Sequence, residues 1–327
     1  MDRQWQHHYA LVEGVRIHWV EMAVETAAET AASRTEAAST EPPLVLFHGL
    51  NDCYRTWRRS APLLARGRRV LIPDLPGHGL SERPDATYEL QWYARLMAAW
   101  LDVAGVEVCD LAGHSFGGGV AQAMLLECPE RIRRLALVAS GGLGREVGWL
   151  LRLASIPFFV ERFGQPFMGP CTRLTLRVAG SLLGEKDIEQ LTSINAQRGS
   201  ARAFARTVRD VIDWRGQRRT FFQRVSELRR LPPIAVFWGD RDGIIPVAHA
   251  RAMLASVDGI QATLFEGCGH YPHHQHTEAF ASALLRFLDD PTVTPARLRV
   301  VATRPEPRHA ASRPSFAALG GISAVAR

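Results

Sequence analysis

Short apolar runs alternate with helical patterns along most of this chain. The runs are residues 43–47, 70–73, 108–112, 135–139, 234–238 and 262–265. Continuous apolar runs of this length are typical of strands that are buried on both faces of a parallel sheet. Because helical patterns separate these runs, we predict an α/β fold, with a doubly wound, mostly parallel sheet and helices on both faces.

Apolar residues recur at helical spacing over residues 55–65, 90–101, 247–256 and 278–288, which predicts four helices of the core. Near the start of the chain, apolar and polar positions alternate on both sides of Gly14. Residues 8–13 and 15–22 are therefore predicted to pair as a hairpin.

The alternation of strand and helix patterns stops between residues 141 and 231. This segment has helical patterns at residues 149–153, 188–194 and 204–214, and no strand pattern of comparable quality. We predict a helical lid subdomain, inserted between two parts of the α/β core at residues 1–140 and 232–290. Within the first part, residues 24–41 are rich in Ala, Glu and Thr and are expected to form a low-complexity loop.

Residues 291–327 differ from the rest of the chain in composition and charge. They are rich in Pro, Ala, Arg and Ser, lack strong periodicity, and are expected to form a disordered basic tail. They hold six arginines against one glutamate, whereas the formal charge of all 327 residues is +6. The rest of the chain is therefore almost neutral, and we expect no nucleic-acid partner.

The chain has 46% hydrophobic residues, enough for one sizeable domain with an inserted subdomain. Its five cysteines are an odd number without paired spacing, which indicates neither a disulfide framework nor a zinc ribbon. No export signal is recognisable, and no apolar run approaches the roughly 18 residues of a membrane span. We expect a cytoplasmic location and no membrane span, and the sequence predicts no oligomeric state.

The pentapeptide Gly113-His114-Ser115-Phe116-Gly117 lies where an apolar strand pattern meets a helix of small residues. At such a junction the serine occupies a sharp, strained turn, and the two glycines allow the strand and helix to approach closely. The serine hydroxyl then projects from the end of the sheet. The pentapeptide alone is a weak signal, so its meaning depends on what the other strand ends carry.

Other polar residues follow the predicted strands, at the edge of a parallel sheet where ligands bind. His48 and Asp74 follow two early strands, and Asp240, Asp242 and His270 follow the last two. A nucleophilic serine needs a base, and the base needs an acid to orient it. The order serine, aspartate, histidine along the chain offers all three.

These motifs resemble those of the α/β-hydrolase fold family, in its lid-bearing serine esterase-like branch. The resemblance covers roughly residues 8–290 and rests on HG at 48–49, DLPGHGLS at 74–81, GHSFGG at 113–118, WGDRDGIIP at 238–246 and GCGHYP at 267–272. It implies Ser115 as the nucleophile and His270 as the base. In the family pattern the acid is the third residue after the glycine of WG, which implies Asp242 rather than Asp240. It also implies an oxyanion hole formed by the backbone N–H groups of Leu50 and Phe116.

The expected activity is hydrolysis of a small apolar carboxylic ester, through an acyl-enzyme on Ser115. A serine at the nucleophile position argues against the branches of this family that use an aspartate. Two alternatives stay open: a C–C bond hydrolase of ring-cleavage products, although HGLNDC and His114 depart from that group's pattern, and a small-molecule-binding protein of the same fold. Residues 149–163 and 167–178 of the lid are rich in large apolar side chains. Part of this surface is predicted to line the acyl pocket, the alternative being that these residues only attach the lid to the core.

No cofactor or metal is expected. His270, His273, His274 and His276 lie close together, but no HExxH-type motif accompanies them. His48, Asp74 and His78 are expected to shape the loops around the site rather than to take part in the reaction.

Overall fold

Eight strands build one central sheet in a computed structural model that describes residues 5–22, 41–154, 159–179 and 185–299. In chain order the strands of this sheet and of two small ladders are β1 (Gln6–Val12), β2 (Val15–Met22), β3 (Leu44–Phe47), β4 (Val70–Pro73), β5 (Cys109–His114), β6 (Ile132–Val138), β7 (Ile212–Asp213), β8 (Gly216–Gln217), β9 (Ile234–Gly239), β10 (Val257–Asp258), β11 (Gln261–Phe265) and β12 (Arg297–Leu298). Each apolar run of the sequence corresponds to one strand of the central sheet.

The central sheet has the order β1-β2-β4-β3-β5-β6-β9-β11. Strands β1, β2 and β4 pair antiparallel, and the pairs from β4 to β11 are parallel. The predicted doubly wound, mostly parallel sheet is confirmed. The predicted hairpin is also present, with Glu13 and Gly14 as its turn.

Helices cover both faces of the sheet. In chain order the helices are α1 (Ala61–Leu64), α2 (Leu90–Val103), α3 (Phe116–Glu127), α4 (Trp149–Ala154), α5 (Phe159–Phe163), α6 (Gln165–Ala179), α7 (Glu185–Asn195), α8 (Ser200–Val211), α9 (Ala248–Ser256), α10 (Pro272–Gln275) and α11 (Thr277–Asp289). Side chains of α2, α3 and α9 pack on one face of the sheet, and those of α1 and α11 pack on the other. The run of β3 is apolar throughout because both of its faces are buried. Val45 and Phe47 pack against one helix layer, and Leu44 and Leu46 pack against the other.

The helix predicted over residues 55–65 is interrupted. The structure has a 3₁₀ turn at Tyr54–Trp57, followed by the short helix α1. Pro62 explains the break, because proline cannot donate a backbone hydrogen bond to the preceding turn and disfavours a helical conformation at the residue before it.

Residues 141–231, called here the lid segment, contain α4 to α8 and the two-residue strands β7 and β8. The small hairpin was not predicted, because two-residue strands leave no periodicity in the sequence. Several hydrogen bonds join the segment to the core; in one of them Asn195 Nδ2 donates to the carbonyl oxygen of Asn51 at 2.8 Å.

The expectation of disorder from residue 291 onward is wrong for residues 291–299. Strand β12 pairs antiparallel with β10, and Ala296 is buried. The N–H of Ala296 donates to Pro232 O at 3.2 Å, and that of Arg299 donates to Ser256 O at 2.9 Å. Backbone pairing needs no apolar periodicity, which is why composition alone missed it. The rest of the predicted tail, and residues 24–40 of the predicted loop, lie outside the described residues.

Candidate active site

Ser115 occupies a strained turn between β5 and α3, with φ 53° and ψ −117°. A non-glycine residue in such a conformation costs on the order of 1–3 kcal/mol and is typical of functional sites. A Cβ atom at Gly113 would lie 2.4 Å from Gly117 O, and one at Gly117 would lie 2.4 Å from His48 O. The two glycines therefore permit the close approach that holds the serine in this turn.

Ser115, His270 and Asp242 form a continuous hydrogen-bonded chain. The Nδ1–H of His270 donates to Asp242 Oδ2 at 2.8 Å, and Ser115 Oγ lies 2.9 Å from His270 Nε2. Because the carboxylate fixes the proton on Nδ1, the lone pair of Nε2 faces the serine hydroxyl and accepts its hydrogen bond. An imidazole held in this way can take the serine proton during attack on a carbonyl carbon.

Asp242 and Asp240 differ sharply in their surroundings. Asp242 is buried, and its Oδ1 accepts hydrogen bonds from the N–H groups of Ile244 and Ile245 at 2.8 and 2.9 Å. Asp240 is exposed, two residues earlier in the same loop. Backbone donors on one carboxylate oxygen leave the other oriented toward His270, so the structure brings Asp242 to the histidine.

The two backbone donors implied for the oxyanion belong to Phe116, which follows Ser115 in the chain, and to Leu50, in the loop after β3. Phe116 is the first residue of α3, where an N–H has no partner within the helix and the helix dipole is positive. Leu50 follows Gly49, and a Cβ atom at Gly49 would lie 3.4 Å from Ser115 Cβ. The loop that carries Leu50 therefore runs directly against the serine.

His48 shapes this loop through hydrogen bonds to the backbone. Its Nδ1–H donates to Gly49 O at 2.8 Å, and its Nε2 accepts from the N–H of Leu75 at 2.9 Å. Both ring nitrogens are thereby occupied in joining the loops that follow β3 and β4.

Asp74 connects the same loops from a fully buried position. It accepts hydrogen bonds from His18 Nδ1–H at 2.7 Å and from the N–H groups of Tyr54 and Leu80 at 2.7 and 2.8 Å. Burial raises the pKa of Asp74, but the hydrogen bond and charge of His18 outweigh it, so this pKa lies below its usual value. Burial lowers the pKa of the neighbouring His78 to about 3, which keeps that ring neutral.

Other histidines lie near His270 in the chain or in space. The Nε2–H of His114 donates to the backbone oxygen of His270 at 2.9 Å, a contact that the sequence did not indicate. His273 Nε2 and His274 Nε2 lie 3.0 and 3.2 Å from Thr56 Oγ1. Among the described residues, no three histidine, cysteine or carboxylate side chains are grouped as a metal site requires.

An apolar cluster of the lid segment packs against Leu50. Its buried members are Val147, Val208 and Ile212, and Leu151 is partly buried beside them. These side chains come from α8, from its junction with β7 and from the start of the lid segment. Of residues 149–163 and 167–178, which the sequence indicated, Leu151 belongs to this cluster, whereas Trp149, Phe163, Phe167 and Leu174 are 68, 59, 58 and 65% exposed.

The chain belongs to the family defined by the α/β hydrolase fold, whose model matches residues 42–277. It is 35% identical over 278 residues to an uncharacterized protein of Mycobacterium tuberculosis, covering 82% of this chain and 80% of that one. It is 30% identical over 261 residues to a 2-hydroxymuconate semialdehyde hydrolase of Pseudomonas sp., covering 75% of this chain and 86% of the relative.

Among solved structures, the chain is similar to Cfl2 from Burkholderia cenocepacia, with a TM-score of 0.72 and 22% identity over 87% of this chain and 96% of that one. This likeness supports the fold. Among the helices built by the described residues, none combines the length and the apolar composition that crossing a membrane requires.

Proposed function

We propose that this hydrolase-family protein is a serine hydrolase that cleaves a small apolar carboxylic ester through an acyl-enzyme on Ser115. The observation that carries the proposal is the continuous chain of hydrogen bonds from Asp242 through His270 to Ser115. Each member has the partner that its role requires: a carboxylate on Nδ1 of the imidazole, and a hydroxyl on Nε2.

In the proposed reaction, Ser115 Oγ attacks the ester carbonyl carbon while His270 Nε2 takes its proton. Asp242 stabilises the imidazolium that results. The N–H groups of Leu50 and Phe116 donate to the carbonyl oxygen as negative charge develops on it. The C–O bond then breaks, His270 returns the proton to the leaving alcohol, and water attacks the acyl-enzyme by the same steps.

The apolar cluster beside Leu50 supports an apolar acyl group. Val147, Leu151 and Val208 pack against Leu50, the residue of one oxyanion donor, so the surroundings of that donor are apolar. An uncharged acyl chain gains free energy by leaving water for such a surface, whereas a carboxylate there would lose its hydration.

Hydrolysis of a C–C bond is the second candidate, favoured by the 30% identity to a 2-hydroxymuconate semialdehyde hydrolase. A substrate of that class carries a carboxylate, which the hydrocarbon side chains packed around Leu50 would not solvate. The ester therefore ranks first. A binding protein that does not turn over its ligand is the third candidate, and the experiment below separates all three.

The test compares the unmodified chain with Ser115→Ala, using Ser193→Ala in the exposed part of α7 as the control. We expect hydrolysis of p-nitrophenyl butyrate and labelling of Ser115 by a fluorophosphonate probe. Ser115→Ala should lose about 10³-fold or more in rate, together with the label. A higher kcat/KM for 2-hydroxymuconate semialdehyde than for the ester would select the second candidate, and neither turnover nor labelling would select the third.

We also propose a cytoplasmic location. It is supported by the five cysteines, which are all free in the structure, as a reducing compartment would keep them.

A further inference from the structure

The lid segment is strongly basic although the chain up to residue 290 is nearly neutral. Residues 141–231 hold sixteen arginine and lysine residues against eight aspartates and glutamates, a formal charge of +8. Residues 1–140 and 232–290 together hold seventeen basic against twenty-four acidic residues, a formal charge of −7. The two charges nearly cancel in the total but occupy different parts of the molecule.

The lid segment also exposes most of the large apolar side chains that face solvent. Of ten such side chains among the described residues, six belong to this segment: Trp149, Leu153, Phe163, Phe167, Leu174 and Trp214. Exposed apolar residues beside basic ones are typical of surfaces that bind the interface of an anionic membrane.

The two features meet at a surface depression of about 680 Å³ between α5, α6 and α8. Its lining includes Arg162, Arg198, Arg202, Arg209 and Glu161. The only carboxylate in this lining is neutralised within the segment, because Glu161 accepts hydrogen bonds from Arg206 and Arg209 at 2.8 and 2.7 Å. The remaining arginines leave the depression cationic.

Three of these arginines have guanidinium N–H groups that are not used in hydrogen bonds within the described residues. In the part of the chain that the structure describes, the side chains of Arg162 and Arg198 make no hydrogen bond or salt bridge, and both are exposed. Arg202 is partly buried, and its side chain makes one hydrogen bond within the described residues, from Nη2 to Arg83 O at 2.9 Å. Guanidinium groups of this kind bind phosphate oxygens in pairs.

One exposed aromatic ring lies next to the depression, and a second belongs to the helix that follows. The guanidinium of Arg162, a lining residue, lies 5.9 Å from the ring centre of Phe163, and the exposed Phe167 belongs to α6. A surface with phosphate-binding arginines and adjacent aromatic side chains matches the two layers of a lipid interface, which are anionic headgroups and the acyl chains below them.

We propose that this arginine-lined depression, together with Phe163 and Phe167, docks the lid segment on an anionic phospholipid membrane, with lipid phosphate bound by Arg162, Arg198 and Arg202. The occupant is a membrane rather than a nucleic acid because the exposed aromatic rings need an apolar layer to enter. The cytoplasmic leaflet carries the negative surface potential that such a basic surface requires.

The experiment measures co-sedimentation of the full chain with vesicles of equimolar phosphatidylglycerol and phosphatidylcholine, or of phosphatidylcholine alone. The Ser115→Ala chain is used, so that binding is scored without turnover and independently of the proposed reaction. The test variant is Arg162→Glu with Arg198→Glu. The control is Arg95→Glu with Arg251→Glu, which makes the same charge change at exposed arginines of the core helices α2 and α9.

We expect binding to the anionic vesicles alone, weakened by salt because the attraction is screened. The test variant should bind at least about tenfold more weakly, and the control should bind nearly as well as the parent. Phe163→Ser with Phe167→Ser should also weaken vesicle binding, since it removes the apolar contact. A second set of variants that keep Ser115 should hydrolyse a soluble ester normally, which shows that they are folded.

Four results would overturn the proposal. The first is unchanged binding by the test variant, since attachment would then come from elsewhere in the chain, including the arginine-rich residues 291–327. The second is an equal loss in the control, which would show that only net charge matters. The third and fourth are binding of duplex DNA or of inorganic phosphate at this depression without vesicle binding.

Discussion

His114 Nε2 lies 2.9 Å from the backbone carbonyl oxygen of His270 and donates a hydrogen bond to it. His114 directly precedes Ser115, so this bond joins the turn that carries the serine to the loop that carries the imidazole. Burial holds the pKa of His114 well below its usual value, so the ring stays neutral and keeps a single N–H to donate. We therefore interpret His114 as a positioning residue for His270.

Removing this bond should lower kcat with little change in KM. His114→Leu is expected to reduce kcat by about 10- to 100-fold, because small misplacements of reacting groups are costly. His114→Gln, whose amide N–H can replace Nε2–H, should recover much of the loss. The rate of fluorophosphonate labelling should follow kcat. A change in KM with kcat unaltered would contradict a positioning role, and so would equal rates for the leucine and glutamine variants.

Asp242→Asn should cost far more activity than Asp240→Asn. Replacing the carboxylate that accepts His270 Nδ1–H favours the wrong tautomer of the imidazole, and a loss of about 10³- to 10⁴-fold in kcat is expected. Asp240 is exposed, and its substitution should change kcat by less than about threefold. Ester hydrolysis by the two variants, compared at equal concentrations of folded protein, decides between the two aspartates.

Leu151 should limit the length of the acyl chain, and Leu153 should not. Both residues belong to α4, but Leu151 packs beside the cluster at Leu50 whereas Leu153 is 53% exposed. Each added methylene should improve kcat/KM by up to about 0.8 kcal/mol until the pocket is full. Leu151→Ala should move the best substrate to a longer chain in a series from acetate to octanoate esters. The same shift in Leu153→Ala would place the pocket elsewhere.

His274 should make the folded state less stable as the pH falls. Burial lowers its pKa to about 4 from the ordinary value of 6.5, so the unfolded chain binds more protons between these two values. Stability must then rise with pH across that window, and be lost as the pH falls from about 6.5 toward 4. From about pH 7.5 to about pH 5, His274 should account for a loss of roughly 2 kcal/mol.

Urea unfolding of the unmodified chain and of His274→Gln at the two pH values measures this contribution. Glutamine retains a hydrogen-bonding partner for Thr56 but does not titrate. The variant should show a smaller loss of stability on acidification. Equal losses in both proteins would mean that other groups cause the acid sensitivity.

Much of the fold followed from the sequence because burial on both faces forces a strand such as β3 to be apolar at every position. The positions of Ser115, Asp242 and His270 at strand ends also followed, since parallel strands bring such residues to one edge. The bond from His114 to His270 joins residues 156 positions apart and leaves no periodic signal. The many apolar residues of the lid segment do not show which way each side chain faces. The sequence therefore assigns side chains such as Trp149 to a pocket, although they face solvent.

The chain end offers a last test, because residues 291–299 pack on the core. Ala296 is buried, Leu298 pairs with Val257, and the N–H of Arg299 donates to Ser256 O. Ending the chain after Asp290 removes these contacts and exposes the edge of β10, so it should lower the free energy of unfolding by about 2 kcal/mol. Ending it after Arg299 should leave stability nearly unchanged, because residues 300–327 have little apolar periodicity. Urea unfolding of both truncated chains beside the full chain measures the difference. If both truncations were equally stable, the pairing of β12 with β10 would contribute nothing, and if both were equally destabilised, the decisive contacts would lie beyond Arg299.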